Sequence, residues 1–415
     1  MAELETPEIA RKSTCSRNEQ PRLVHQIIAL ALFKLLLNTG RRFIYPFAPA
    51  LSRSLDVPFA AITTIIATSQ FVALLGLFCG PLADRLGYRT MMKSGLAFLC
   101  IGMLLCGLLP VYWLVFLGLI VASFGKTLFD PAVQAFIGEN IPFHRRGRVI
   151  GIVEMSWAGS TLIGIPILGL VIDRNGLGFS FYLLSLLGFI GWICINRILP
   201  KDAPGAGVKN EAKGLLTSLT KLMKVRPAAG MLAFGFFISI ANDSIFVVYG
   251  RWFESDFNVS LVTLGFSTVA IGIAELCGES STALFADKIG LKRATIIGLL
   301  LAICAYLLLP FIGVSLMLAM VGMFFVFGAF EFTIVSSFSL CTELMPQSRA
   351  TMMAGFYAAS GVGRMLGVLI GTPLWHIAGI SGVAWTSAAL TGCGLLALLW
   401  GLHGWTQQET DLETA

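Results

Sequence analysis

Ionisable and amide side chains recur inside runs that are otherwise apolar. Lys34, Asn38, Arg41 and Tyr45 follow at intervals of four, three and four residues, which is one face of a helix, with Arg42 beside them. Lys126, Asp130 and Gln134 share a face at four-residue intervals, and Tyr357, Ser360 and Arg364 share another. Asn242, Asp243 and Glu331 lie in two further runs, and Glu154, Glu275 and Glu279 in others. A charge at the centre of a bilayer costs a few kcal/mol or more, so such groups face a polar cavity or a partner. Two chemistries follow. Guanidinium groups take carboxylate or phosphate bidentately. A desolvated carboxyl can exchange a proton near physiological pH, which makes Asp243, Glu331 and Glu154 the proton-carrying candidates.

The elements that must position these groups are apolar helices. Of 415 residues, 56% are hydrophobic and 13% charged, against about 25% charged in a soluble domain. Twelve membrane helices of about 20 residues would use roughly 240 residues. Apolar runs predict spans near 24–50, 58–82, 90–109, 111–137, 149–172, 178–198, 228–250, 260–286, 293–312, 314–341, 351–375 and 383–405. An outer-membrane barrel would show short alternating strands instead. The 44 glycines suit closely packed membrane helices. Pro46 and Pro49 are expected to disturb span 1 beyond Tyr45. The net charge of +6 sits in short clusters between the runs, which argues against nucleic acid. Nine cysteines without a CxxC pair, and four histidines near span ends, give no metal or disulfide pattern.

The expected organisation is an N-terminal tail (1–22, polar, with no secretory signal), a six-helix bundle (23–198), a lysine-rich linker (199–227), a second bundle (228–405) and a C-terminal tail (406–415). Basic residues concentrate in the N-terminal tail, in alternate loops such as Arg85–Lys93 and Arg145–Arg148, and in the linker, so both termini are expected in the cytoplasm. The halves repeat. Gly80, Asp84, Arg85, Gly87 and Arg89 are matched by Ala283, Asp287, Lys288, Gly290 and Lys292 at an offset of 203 positions, and Gly151 by Gly355 at 204. Duplicated units of this kind build transporters with a site between the halves. Aligning Asp56-Val57 on Asn258-Val259 sets Arg41 opposite Asp243, and span 4 on span 10 sets Lys126 near Glu331. The positive members in the first half and the negative ones in the second would give a cavity suited to a zwitterionic or amphiphilic solute, with Arg41 and Asp243 expected to approach across the halves; the alternatives are that the charges neutralise one another, or that Lys126 pairs with Asp130, four residues on. Arg42 has no evident partner in the sequence, which points to an anionic group on a substrate.

The pattern Gly80-x-x-x-Asp84-Arg85-x-Gly87-x-Arg89 resembles the signature loop of the major facilitator superfamily, and its weaker copy sits where that family places it. The resemblance covers essentially the whole chain. It implies an all-α integral membrane fold of 12 helices in two pseudo-symmetric six-helix bundles, with spans 1, 4, 7 and 10 lining a cavity. It also implies that Asp84, Arg85, Arg89 and Asp287, with Gly80, Gly87, Gly290 and Lys292, latch one conformation on the cytoplasmic side. The drug–proton antiporter branch is matched in part: Gly159, Gly164, Pro166 and Gly169 approach its span 5 motif, and Lys126 stands near its span 4 arginine.

The expected function is therefore a secondary transporter in a bacterial inner membrane, acting as a monomer without cofactor or metal. It exports a small amphiphilic, zwitterionic or anionic compound by alternating access coupled to protons. The competing readings are uptake or flipping of an organic anion or lysolipid, and, more remotely, a membrane-embedded enzyme. The chain has no Gly-x-x-x-x-Gly-Lys-Ser/Thr loop for ATP.

Overall fold

The computed structural model describes residues 20–75, 86–141, 143–200, 223–344 and 349–405. Among these every regular element is helical. Within hydrocarbon a helix satisfies its own backbone donors and acceptors, which an open strand cannot. The helices are α1 (Gln20–Arg42), α2 (Ile44–Ser54), α3 (Phe59–Ala73), α4 (Tyr88–Leu108), α5 (Tyr112–Asn140), α6 (Phe143–Glu154), α7 (Ser156–Gly159), a π segment (Ser160–Gly164), α8 (Ile165–Ile198), α9 (Arg226–Phe257), α10 (Leu261–Ile289), α11 (Leu291–Ile312), α12 (Leu316–Leu344) and α13 (Arg349–Gly401).

Nine helical stretches among the described residues are long and apolar enough to cross a bilayer. Two of them, Val149–Ile198 and Met352–Gly401, run to 50 residues each. At 1.5 Å per residue that is about 75 Å, more than twice the hydrocarbon thickness of about 30 Å. Each is broken midway, α8 at Gly176 (φ 81°) and α13 at Ala378 and Gly379 (φ 58°). The expected span pairs 149–172/178–198 and 351–375/383–405 meet at these turns. The expected span 58–82 is helical over Phe59–Ala73, and its remainder runs beyond the described residues. Large apolar side chains face outward, among them Trp113, Phe311 and Leu396 at 72%, 68% and 67% exposure. Water would penalise that surface and lipid does not.

Span 1 stays helical through Phe43, which has φ −60° and ψ −26° and donates to the Thr39 carbonyl at 3.0 Å, and Pro46 and Pro49 both lie inside α2. Proline has no N–H, so Pro46 leaves the Arg42 carbonyl without its i+4 donor, and the hydrogen-bond ladder is interrupted at that carbonyl. The π segment has a similar origin. Ile165 donates back to the Ser160 carbonyl, five residues away. The Thr161 carbonyl accepts from the Thr268 hydroxyl at 2.8 Å instead.

Three left-handed positions recur along the chain. Asp56 and Asn258 have φ 50° and 49°, Gly87 and Gly290 have φ 89° and 90°, and Gly176 and Gly379 have φ 81° and 58°. Their offsets of 202 to 203 positions are those of the sequence repeat. The first and second halves of the chain meet closely at the end of the structure where α2 and α9 finish. A Cβ on Gly250 would lie 2.3 Å from the Pro46 carbonyl oxygen, and Gly169 faces Gly265 at backbone distance. α9 is the most enclosed of the nine stretches, with 78% of its apolar window buried. The groups it carries are therefore withdrawn from lipid.

Candidate functional site

Arg42 is the last residue of α1, and its side chain reaches α7 and α10. Its guanidinium donates to Glu275 through Nη2 to Oε1 (2.5 Å) and Nη1 to Oε2 (3.3 Å), and to the Trp157 carbonyl (3.0 Å). It also stacks 4.1 Å from the Trp157 ring centroid. The Thr161 hydroxyl donates to Glu275 Oε2 at 2.8 Å, so the π segment supplies part of the acid's solvation. The two charged side chains are 3% and 2% exposed. Arg42 thus has an internal counter-ion, which corrects its expected role as the unpartnered anchor of an anion. Glu275 is buried against Arg42 of span 1.

The stripe on α1 fans out to several elements. Lys34 Nζ lies 2.5 Å from Glu154 Oε1, and Gln134 donates to the same oxygen at 2.7 Å. Asn38 donates to the Ser156 hydroxyl at 3.2 Å. Lys126 pairs with Asp130 at 2.5 Å within α5. The alternative reading of Lys126 is therefore the one formed, because the same helix presents a carboxylate one turn away.

The expected direct pair of Arg41 and Asp243 is replaced by a relay. Arg41 donates to Gln70 Oε1 of α3. Gln70 donates to the Tyr45 hydroxyl at 2.5 Å, and Tyr45 donates to Asp243 Oδ1 at 3.1 Å. Arg364 of α13 approaches the other Asp243 oxygen through Nε at 3.9 Å. Tyr45 also stacks on Phe246 with centroids 4.3 Å apart, which fixes its hydroxyl over α9.

Glu331 is 8% exposed and makes no hydrogen bond or ion pair to a described residue. Its Cβ occupies the space beside Gly278, and it shares a field with Glu275 and Glu279 of α10. Asn242 Oδ1 and Ser360 Oγ are buried without a partner among the described residues. Tyr357 is 55% exposed and packs on Phe338. A recess of about 250 Å³ lined by Leu51, Cys106, Pro110 and Phe181 holds no charged residue and is separate from this cluster.

At the α2–α9 end, Arg53 grips Glu254 with two hydrogen bonds of 2.7 Å. Those bonds raise the Arg53 pKa above its ordinary value. At the opposite end Arg89 donates to the Asn196 carbonyl and side chain, and Lys292 to the Leu402 carbonyl at 2.9 Å. Both contacts place a cation on the carbonyl end of a helix, where the dipole favours it. Of the loop motif, Gly80, Asp84, Arg85 and the Asp287 side chain lie outside the described residues. Gly87 and Gly290 start α4 and α11 with glycine-specific angles.

Gln70, Trp157 and Thr161 were not among the expected site residues. Gln70 carried a signal, as the one amide in the apolar run of α3. Trp157 and Thr161 carried none, since an aromatic ring and a hydroxyl are ordinary in a membrane helix.

A family model described as Major Facilitator Superfamily matches residues 30–367 and, separately, 232–413. The chain is similar to the uncharacterized MFS-type transporter YceJ of Bacillus subtilis, with 23% identity over 75% of this chain and 80% of that protein. It is similar to a multi-drug resistance efflux pump PmrA homolog of Lactococcus lactis, with 25% identity over 77% and 78%. Among solved structures it resembles a POT family transporter in complex with a thioalcohol-conjugated peptide (TM-score 0.75, 14% identity, 91% of this chain and 96% of that one). It also resembles an inward-facing bacterial homolog of the human lysosomal transporter Spinster (TM-score 0.69, 15% identity, 92% and 96%). The chain therefore belongs to the major facilitator superfamily and is a multi-pass membrane transporter of small molecules, not an enzyme.

Proposed function

We propose that the chain exports a small amphiphilic organic compound by alternating access, exchanging it for protons carried on Glu331. The observation that carries the reading is Glu331 itself. It is a buried carboxyl with no counter-ion among the described residues, beside two more acids. Leaving it ionised there is costly, and a proton removes the cost. Asp243 and Glu154 are weaker candidates, because the first is held by Tyr45 and Arg364 and the second by Lys34 and Gln134.

The reading takes residues 23–198 and 228–405 as two six-helix bundles joined by 199–227, giving twelve spans, with both termini cytoplasmic and the monomer in a bacterial inner membrane. The recurrence of left-handed backbone at matched positions supports the duplication. The Arg42–Glu275 and Arg53–Glu254 contacts bind one proposed bundle to the other, as two rocking units require. Export is favoured by a relative named as a multi-drug resistance efflux pump homolog and others named as multidrug resistance proteins. Uptake of an organic anion is the second reading, and it draws on Arg41, whose partner is a neutral amide.

Flux of an amphiphilic dye in proteoliposomes tests both. Export coupled to protons predicts dye movement against its gradient when a pH difference is imposed, and none without it. Dye movement indifferent to that pH difference would remove the coupling.

A further inference from the structure

We infer that the region around Asp243 binds the acidic group of an organic monoanion, held between Arg41 and Arg364. The inference deepens the transport reading by naming the chemical class of the solute. Five cations lie in the middle of the described helices, and three of them, Lys34, Arg42 and Lys126, each have a carboxylate of their own at 2.5 Å. Arg41 and Arg364 share Asp243, and the Asp130 that also attracts Arg41 is already balanced by Lys126. Arg364 touches it by Nε at 3.9 Å, with its side chain 28% exposed. Its terminal nitrogens make no hydrogen bond to a described residue. Arg41 spends its hydrogen bond on the neutral Gln70. The two guanidiniums repel one another, and both act on the same carboxylate.

Two positive charges and one negative leave an excess of one in a poorly screened interior. A single further anion balances it, and the free fork of Arg364 has the geometry for carboxylate, sulfonate or phosphate oxygens. Trp157 is half-buried, and its ring centroid lies 5.8 Å from the Arg364 guanidinium, so an apolar body attached to that anion meets an aromatic wall. The solute therefore brings the negative charge.

The test is binding to the purified full-length protein by calorimetry. The probes are naphthalene-2-sulfonate, its neutral sulfonamide and a naphthylmethyl-trimethylammonium ion. The sulfonate stays ionised, so its own titration does not confuse the result. The anion is expected to bind at least about tenfold more tightly than the neutral probe. Arg41→Gln and Arg364→Gln should each remove that preference while leaving the neutral probe's affinity unchanged, and Arg41→Lys should keep most of it. If the glutamine variants do not fold, Gln70→Glu serves in their place, because it supplies a competing internal anion beside Arg41 and should weaken sulfonate binding. Wild-type protein that binds the cation or the neutral probe as well as the anion overturns the inference. So does sulfonate affinity unchanged in the glutamine variants, or in Gln70→Glu where it stands in for them. Charge-selective binding with no flux in liposomes would end the transport reading and leave this site standing.

Discussion

Arg42 and Glu275 are 233 residues apart in the chain and meet through hydrogen bonds of 2.5 and 3.3 Å, both side chains almost wholly buried. Removing one partner leaves an uncompensated charge, which costs about 3–5 kcal/mol when the pair is buried. Arg42→Ala and Glu275→Ala should each lower the melting temperature sharply. The double variant Arg42→Met with Glu275→Leu should recover most of the loss, since apolar residues of similar volume need no counter-ion. Single variants that melt with the wild type would show that the pair is not desolvated.

Gln70 is the link between Arg41 and Tyr45. Gln70→Leu should cost about 1–3 kcal/mol, the penalty for leaving buried polar groups unpaired. Gln70→Glu should not stabilise, because the carboxylate that pairs with Arg41 cannot donate to the Tyr45 hydroxyl and competes with Asp243 for its one proton, and it should slow flux. Flux equal to or faster than the wild type would contradict the assignment of Arg41 to the solute path.

Gly250 lets α9 lie directly on α2 at the Pro46 carbonyl. Gly250→Leu cannot be accommodated at 2.3 Å, so that end should open. A cysteine at Ala50, which is 7% exposed, should react with a water-soluble maleimide several-fold faster in the Gly250→Leu background than without it. Native cysteines would be replaced beforehand. Equal labelling rates would mean that this contact does not close the end.

Gly87 and Gly290 begin α4 and α11 at φ 89° and 90° with ψ 145° and 133°, a region open essentially to glycine alone. Gly290→Ala should cost about 1–3 kcal/mol by backbone strain, because open space surrounds the position and no clash adds to it. Thermal melting of Gly290→Ala and of Gly151→Ala, which lies within α6 where a Cβ also meets open space, separates strain from general sensitivity.

The helical architecture was legible because the runs stay apolar over lengths that cross a bilayer despite the charges within them, and the proposed duplication rests on turn positions. Asp56 is matched by Asn258, and Gly87 by Gly290, where the backbone is left-handed. The site was legible as a set of residues and not as a set of pairs. Repeat alignment set Arg41 against Asp243, but pairing depends on how each helix is rotated against its neighbours. Arg42 meets Glu275 of α10, and Gln70 and Tyr45 intervene at Arg41. Spacing within one helix carries no information about that rotation. The Lys126–Asp130 pair was readable, because both partners lie on one helix.

The most direct test of the account is proton-coupled flux through Glu331→Gln in sealed proteoliposomes, with solute and internal pH followed together. The account predicts that the variant still exchanges solute at equal concentrations on both sides, but neither accumulates solute under a pH difference nor moves protons with it. A variant that couples solute to protons as the wild type does would contradict it.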